Sequence, residues 1–207
     1  MDGFAVLPAA ITMVAGPQII SAVVLATSGD PRRNSLAFLV GVASAVVFGT
    51  LVALGLVETL DLAARQAGGP GSERWIRYLL AGLLVVLAVR AFDTRRTAQP
   101  PRWLTGLQTA QPHTALRLGF LLFLAMPTDV VMMLSAAGYL AKNDLGVLHS
   151  LPFILATLLL ASLPFLAYLL LGKRAETVLP AVRDWMTRDA WAINIAVYLY
   201  FIYSLLK

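Results

Sequence analysis

Gly3 to Gly29 and Asn34 to Val57 pass without a charged side chain, Leu118 to Ala141 is interrupted only by Asp129, and Leu145 to Gly172 holds no acid or base except His149. About 20 apolar residues rising 1.5 Å each cross a hydrocarbon core about 30 Å thick, so each of these runs is long enough to span a bilayer. Two shorter runs join them. Tyr78 to Val89 reaches full length if Arg77 and Arg90 extend their charged heads to the interface, and Ala190 to Leu206 closes the chain. With 59% hydrophobic and 13% charged residues over 207 positions, the chain reads as an all-α polytopic membrane protein with six transmembrane helices. A cleavable leader is a poor reading of the first run, because Met1-Asp2 supplies no basic segment before it.

Lys and Arg set the orientation. The connections after spans one, three and five hold Arg32, Arg33, Arg90, Arg95, Arg96, Arg102, Arg117, Lys173, Arg174, Arg183 and Arg188. The opposite side holds Arg65, Arg74, Arg77, Lys142 and Lys207. The positive-inside rule therefore expects both termini outside, in a multi-pass protein of the inner (plasma) membrane. Cytoplasmic loops facing anionic lipid account for the net charge of +5, and no nucleic-acid partner is needed. Cysteine is absent, which removes disulfides and thiolate metal sites, and neither a metal nor a cofactor is expected.

The stretch TRRTAQPPRWLTGLQTAQPHT, residues 94–114, reads as a cytoplasmic linker between a first three-helix unit, 1–93, and a second, 115–207. A displacement of 110 residues lays Pro17 on Pro127, Pro70 on Pro180 and Trp75 on Trp185. Units with an odd number of spans run in opposite directions, so the plan expected is two inverted three-helix repeats.

Two of the matched prolines lie inside spans. Pro17 cannot donate to the Met13 carbonyl, nor Pro127 to that of Phe123. Such breaks are tolerated where they face protein or a water-filled cavity, which makes Gly16, Pro17 and Gln18 in one span, and Pro127, Thr128 and Asp129 in the other, the candidate binding elements. Asp129 lies near the middle of its run, where an ionised acid is expensive, and no Lys or Arg stands at comparable depth in another span. It is protonated, bonded by polar groups or water, or holds a cation. Gln18, Asn194, Thr128 and Ser135 are the available polar side chains. The competing account is a structural aspartate that ties two helices together.

Other features have ordinary explanations. Glu58, His113 and His149 sit at span ends or in the linker, and the methionines around Asp129 suit packing. Tyr198, Tyr200 and Tyr203, with Trp75, Trp185 and Trp191, fit an interfacial aromatic belt. Gly41, Ala45, Gly49 and Ala53 recur every four residues and form a face for close helix approach, within one chain or between two. An intramembrane enzyme would need a nucleophile with its base, a carboxylate pair or a metal cluster at depth, and the lone acid argues against one.

The Gly-Pro break in the first span, the turn 29-GDPRRNSLAFLVG-41 and the fourth-span stretch 119-GFLLFLAMPTDVVMM-133 resemble the LysE superfamily of exporters, and within it the GAP or Sap (sulfolipid-addressing protein) group. Relatives commonly carry an Asn-Pro-Lys-like element where this chain has Met126-Pro127-Thr128, so the substrates of the amino-acid exporters are not carried over. The resemblance implies an inner-membrane exporter, monomeric or homodimeric, that moves a small molecule or an envelope lipid or glycolipid outward at the expense of a proton or cation gradient. A non-transporting scaffold for envelope-lipid delivery is the alternative, and a channel is less well matched by a single central acid.

Overall fold

Among the described residues eight α-helices follow one another along the chain, and proline stands first or second in six of them: α1 (Leu7–Val14), α2 (Pro17–Ala26), α3 (Pro31–Gln66), α4 (Ser72–Thr94), α5 (Pro112–Ala125), α6 (Pro127–Lys142), α7 (Leu151–Leu171) and α8 (Ala175–Leu206). A proline at the first helical position gives up an N–H that would have had no partner there, and its φ is already helical. The computed structural model describes residues 2–66, 72–94, 107 and 109–206, and no strand occurs among them.

Among the described residues two helical segments, Pro31–Leu60 and Val147–Leu171, are long and apolar enough to cross a membrane, and the number rises to four if each of two bent pairs is one span. The pairs are Phe4–Val14 with Pro17–Ala26, bent by 67°, and Pro112–Ala125 with Pro127–Lys142, bent by 60°. The first and fourth runs read from sequence are thus sharply broken at the two prolines. Helices α4 and α8 fall short of that apolar test over their described residues. The outward faces of α3 and α7 carry exposed Leu36, Val40, Phe48 and Val52, and Leu155, Leu159, Leu166 and Leu170. Apolar surface this continuous belongs against lipid rather than water.

Boundaries differ from the sequence reading in three places. Pro112 and His113, assigned to the linker, begin α5 instead, since proline is well suited to a first helical turn. Helix α8 starts at Ala175 and carries Pro180 within it, well before the expected start at Ala190. Helix α3 continues beyond Val57 to Gln66, its polar end extending an apolar body. Most of the linker, together with Pro70, Trp75 and Trp185 of the displaced match, lies outside the described residues or side chains.

Packing is reciprocal. Helix α3 lies against α5 and α6, α7 lies against α1 and α2, and α4 pairs with α8. The four-residue stripe on α3 is the inner face: Gly41, Ala45, Gly49 and Ala53 are all buried. A Cβ on Gly41 would meet the backbone of Leu116 and Phe120, and one on Gly119 the backbone carbonyl of Phe38. Two glycines therefore let α3 and α5 cross with their main chains nearly touching. The close approach is made within the chain.

At one end of this crossing Asn34 is almost fully buried and donates through Nδ2 to Ser28 Oγ, 2.9 Å, and to the Ala110 carbonyl, 3.0 Å. It ties the α2–α3 turn to the approach to α5. Asn34→Leu removes both bonds and leaves the two acceptors to find other donors, and should lower stability by about 1–3 kcal/mol. Thermal unfolding of the detergent-solubilised variant checks this, and an unchanged melting temperature would dismiss the tie.

Candidate functional site

The two helix breaks are built alike. Pro127 forces the residue before it out of helical geometry, and Met126 sits at φ −71°, ψ 125°, with its carbonyl taking up the N–H groups of Asp129 and Val130 at 3.1 Å each. On the other side Gly16 is extended, Pro17 opens α2, and the Ile20 N–H reaches the Gly16 carbonyl at 3.5 Å. Both breaks thus leave a helix N-terminus facing inward. Gln18 is the second residue of α2, and Thr128 and Asp129 are the second and third of α6.

These two N-termini meet. Gln18 Nε2 donates to Asp129 Oδ2 at 2.7 Å, across 111 positions of sequence, and Thr128 Oγ1 approaches Asp129 Oδ1 at 3.4 Å. Asp129 is 0% exposed and Gln18 3%. A carboxylate held by a side-chain amide, both groups lying in the first turns of their helices, is better provided for than a bare acid in hydrocarbon. Gly16 has a part in this: a Cβ there would come within 2.9 Å of Gln18 Oε1. That oxygen belongs to a side chain already held by its bond to Asp129, so the amide has little freedom to step aside.

Of the four polar side chains available to Asp129, Gln18 and Thr128 are the two that bond it. Ser135 stands six residues further along α6, about 9 Å by helical rise, and its Oγ has no protein partner. Asn194 Oδ1 is likewise buried without a hydrogen bond. Thr12 Oγ1 on α1 and Thr50 Oγ1 on α3 share that condition, and α1, α3 and α8 all pack on α6. Unpaired polar oxygens therefore lie in the apolar interior on α6 itself and on three helices packed against it.

Tyr198 is a correction to the aromatic-belt reading. It is buried, 1% exposed, and lies within electrostatic reach of Asp129. Its neighbours behave differently: Tyr203 is exposed, and Tyr200 donates its hydroxyl to the Ala5 carbonyl at 2.9 Å. The sequence reading missed this, although Tyr198 stands four residues, one turn, beyond Asn194 and so shares its helix face. Glu58, His113 and His149 are exposed and take no part in this site.

A family model described as Sap, sulfolipid-1-addressing protein, matches residues 6–207. The chain belongs to this family. The match takes in both helix breaks, the Gln18–Asp129 contact between them and the α3–α5 crossing. No curated protein and no solved structure matches the chain. This Sap protein is a helical membrane protein in which, among the described residues, one carboxylate is fully buried, between two broken helices.

Proposed function

We propose that this Sap protein is a secondary active exporter of the plasma membrane, with six crossings arranged as two inverted three-helix repeats, 1–93 and 115–207, joined by 94–114. Both termini face outward. The family's description names sulfolipid addressing, and the cargo class we favour is an envelope lipid or glycolipid carried outward.

One observation carries the reading. Two helix breaks, which a displacement of 110 residues superimposes, share a hydrogen bond between Gln18 and Asp129 in the interior. The same displacement lays Gln18 on Thr128, the two side chains that approach the carboxylate. The reciprocal packing of α3 on α5–α6 and α7 on α1–α2 is what an inverted pair would produce. Rocking one unit against the other would part the two breaks and expose Asp129 to either side in turn. The unpaired oxygens of Thr12, Thr50, Ser135 and Asn194 suit an interior that admits water during that cycle.

The coupling ion is a proton or another cation taken by Asp129, and the helix N-termini beside the carboxyl oppose the binding of either until the breaks part. The sequence resemblance to LysE-type exporters agrees with this scheme. The scaffold reading draws on the same contact, since a fully buried carboxylate held by Gln18 also serves as a static tie between helices.

Thermal unfolding of the purified protein across a pH series, against cations, amino acids and envelope lipids, separates the two. The exporter predicts a ligand that stabilises the parent and fails to stabilise Asp129→Asn. An Asp129→Asn protein as stable as the parent at every pH, with no ligand distinguishing them, would leave the scaffold.

A further inference from the structure

A second feature of the fold lies beside the first break and away from the carboxylate. A cavity of about 250 Å³ opens between α1–α2, α7 and the start of α8. Ile11 and Val14 line it before the break, Ile19 and Val23 after it, and Leu163 and Pro164 face them from α7. Every lining side chain is hydrocarbon. Both main walls are irregular helices: α1–α2 is broken at Pro17, and in α7 Pro164 cannot donate to the Leu160 carbonyl, a residue that also lines the space.

Folded interiors are close-packed, with few voids larger than a water molecule, so a cavity of this size calls for an occupant. Water does not suit it, because a stable internal water needs two to four polar partners and the lining side chains offer none. The cavity is open at its rim, where Ile11, Leu163 and Val178 are 43%, 47% and 43% exposed. These rim residues belong to the first bent pair, to the apolar α7 segment and to the start of α8, and the first two are long and apolar enough to lie within a bilayer. At about eight water volumes the space is too narrow for a helix 10–12 Å across from a second copy, and matches a single flexible chain. With no polar side chain in the lining, a headgroup has nothing to bond and remains outside.

We propose that this cavity binds one acyl chain of a membrane lipid, entering sideways from the bilayer and packing against the Ala15–Pro17 break. It does not rest on transport: a scaffold would hold the chain equally well.

The test is photolabelling of the intact protein, reconstituted in phosphatidylcholine vesicles that contain a phospholipid with a diazirine in mid-chain, with the labelled residues mapped by mass spectrometry. Leu51 and Val52, exposed on the outward face of α3, report ordinary lipid contact. The expected result is labelling concentrated on 11–23 and 160–167, above that at Leu51 and Val52. Ala167→Phe or Val23→Phe fills part of the space, and the cavity labelling should then fall by about tenfold, the loss produced by excluding about two methylenes, with Leu51 and Val52 unaffected. Labelling of the parent no stronger than at Leu51 and Val52 overturns the proposal, as does a folded filling variant that labels like the parent. The parent comparison decides alone where neither variant folds. Transport enters neither arm, so the outcome stands apart from that of the exporter reading.

Discussion

Gly119→Val is expected to destabilise this protein strongly, as is Gly41→Val across the same helix crossing. A Cβ at Gly119 runs into the Phe38 carbonyl, and one at Gly41 into the Leu116 carbonyl. Backbone atoms in the middle of two helices cannot turn aside as a side chain does. The helices must separate, and in a bilayer the loss is felt directly, because close van der Waals packing rather than water exclusion holds helices together there. Overpacking typically costs about 1–3 kcal/mol, and the branched Val adds atoms beyond the Cβ, which places it at or beyond the upper end. Gly55→Ala and Gly82→Ala are the controls. Nothing lies within 4 Å of a Cβ at either, so helix propensity alone acts and should raise stability by about 0.5–1 kcal/mol. Melting temperature and monodisperse yield in detergent read both signs. A Gly119→Val protein that melts with the parent would mean that α3 and α5 do not cross at these glycines.

The second large effect lies at the carboxylate. Gln18→Leu deprives Asp129 of its 2.7 Å partner and leaves only the long approach of Thr128 Oγ1 at 3.4 Å. A hydrogen bond to a charged group contributes about 1.5–3 kcal/mol, and stranding the buried acceptor costs at least as much. Asp129→Asn keeps an acceptor oxygen for Gln18 and should change stability far less. The double variant Gln18→Leu/Asp129→Leu removes both polar partners together, which is often nearly neutral, so it should recover much of the loss from Gln18→Leu alone. With Asp129→Leu as the other single variant, the cycle isolates their coupling, expected within about 0.5–3 kcal/mol for residues in contact. If Gln18→Leu melted with the parent, the contact would contribute little, and the case for a site at the two breaks would weaken with it.

Much of this was legible from residues alone. The charge-free runs dictated helices in a membrane, because a backbone in hydrocarbon has to satisfy its own hydrogen bonds. Pro17 and Pro127 marked the breaks, since a proline inside a span cannot donate to the carbonyl four residues back and crowds the preceding turn. The spacing of Gly41, Ala45, Gly49 and Ala53 marked a face of close approach. Element ends were less legible. Pro112 looked like linker punctuation and proved to open α5, because the same residue suits both roles.

The partners were decided by tertiary structure. Sequence put four polar side chains within conceivable reach of Asp129, and the fold brought Gln18 and Thr128 to it while Ser135 and Asn194 kept oxygens without a bond. The α3 stripe was equally suited to a second copy, and α5 filled it with Gly119. Tyr198 moved from the expected belt to the interior, and the cavity beside Pro164 left no pattern in the chain. The division has one physical reason. Helix formation, breakage and lipid solubility depend on neighbours within a few turns, so the local sequence determines them. A contact such as Gln18 with Asp129 closes over 111 positions, and its existence depends on how all the intervening helices pack.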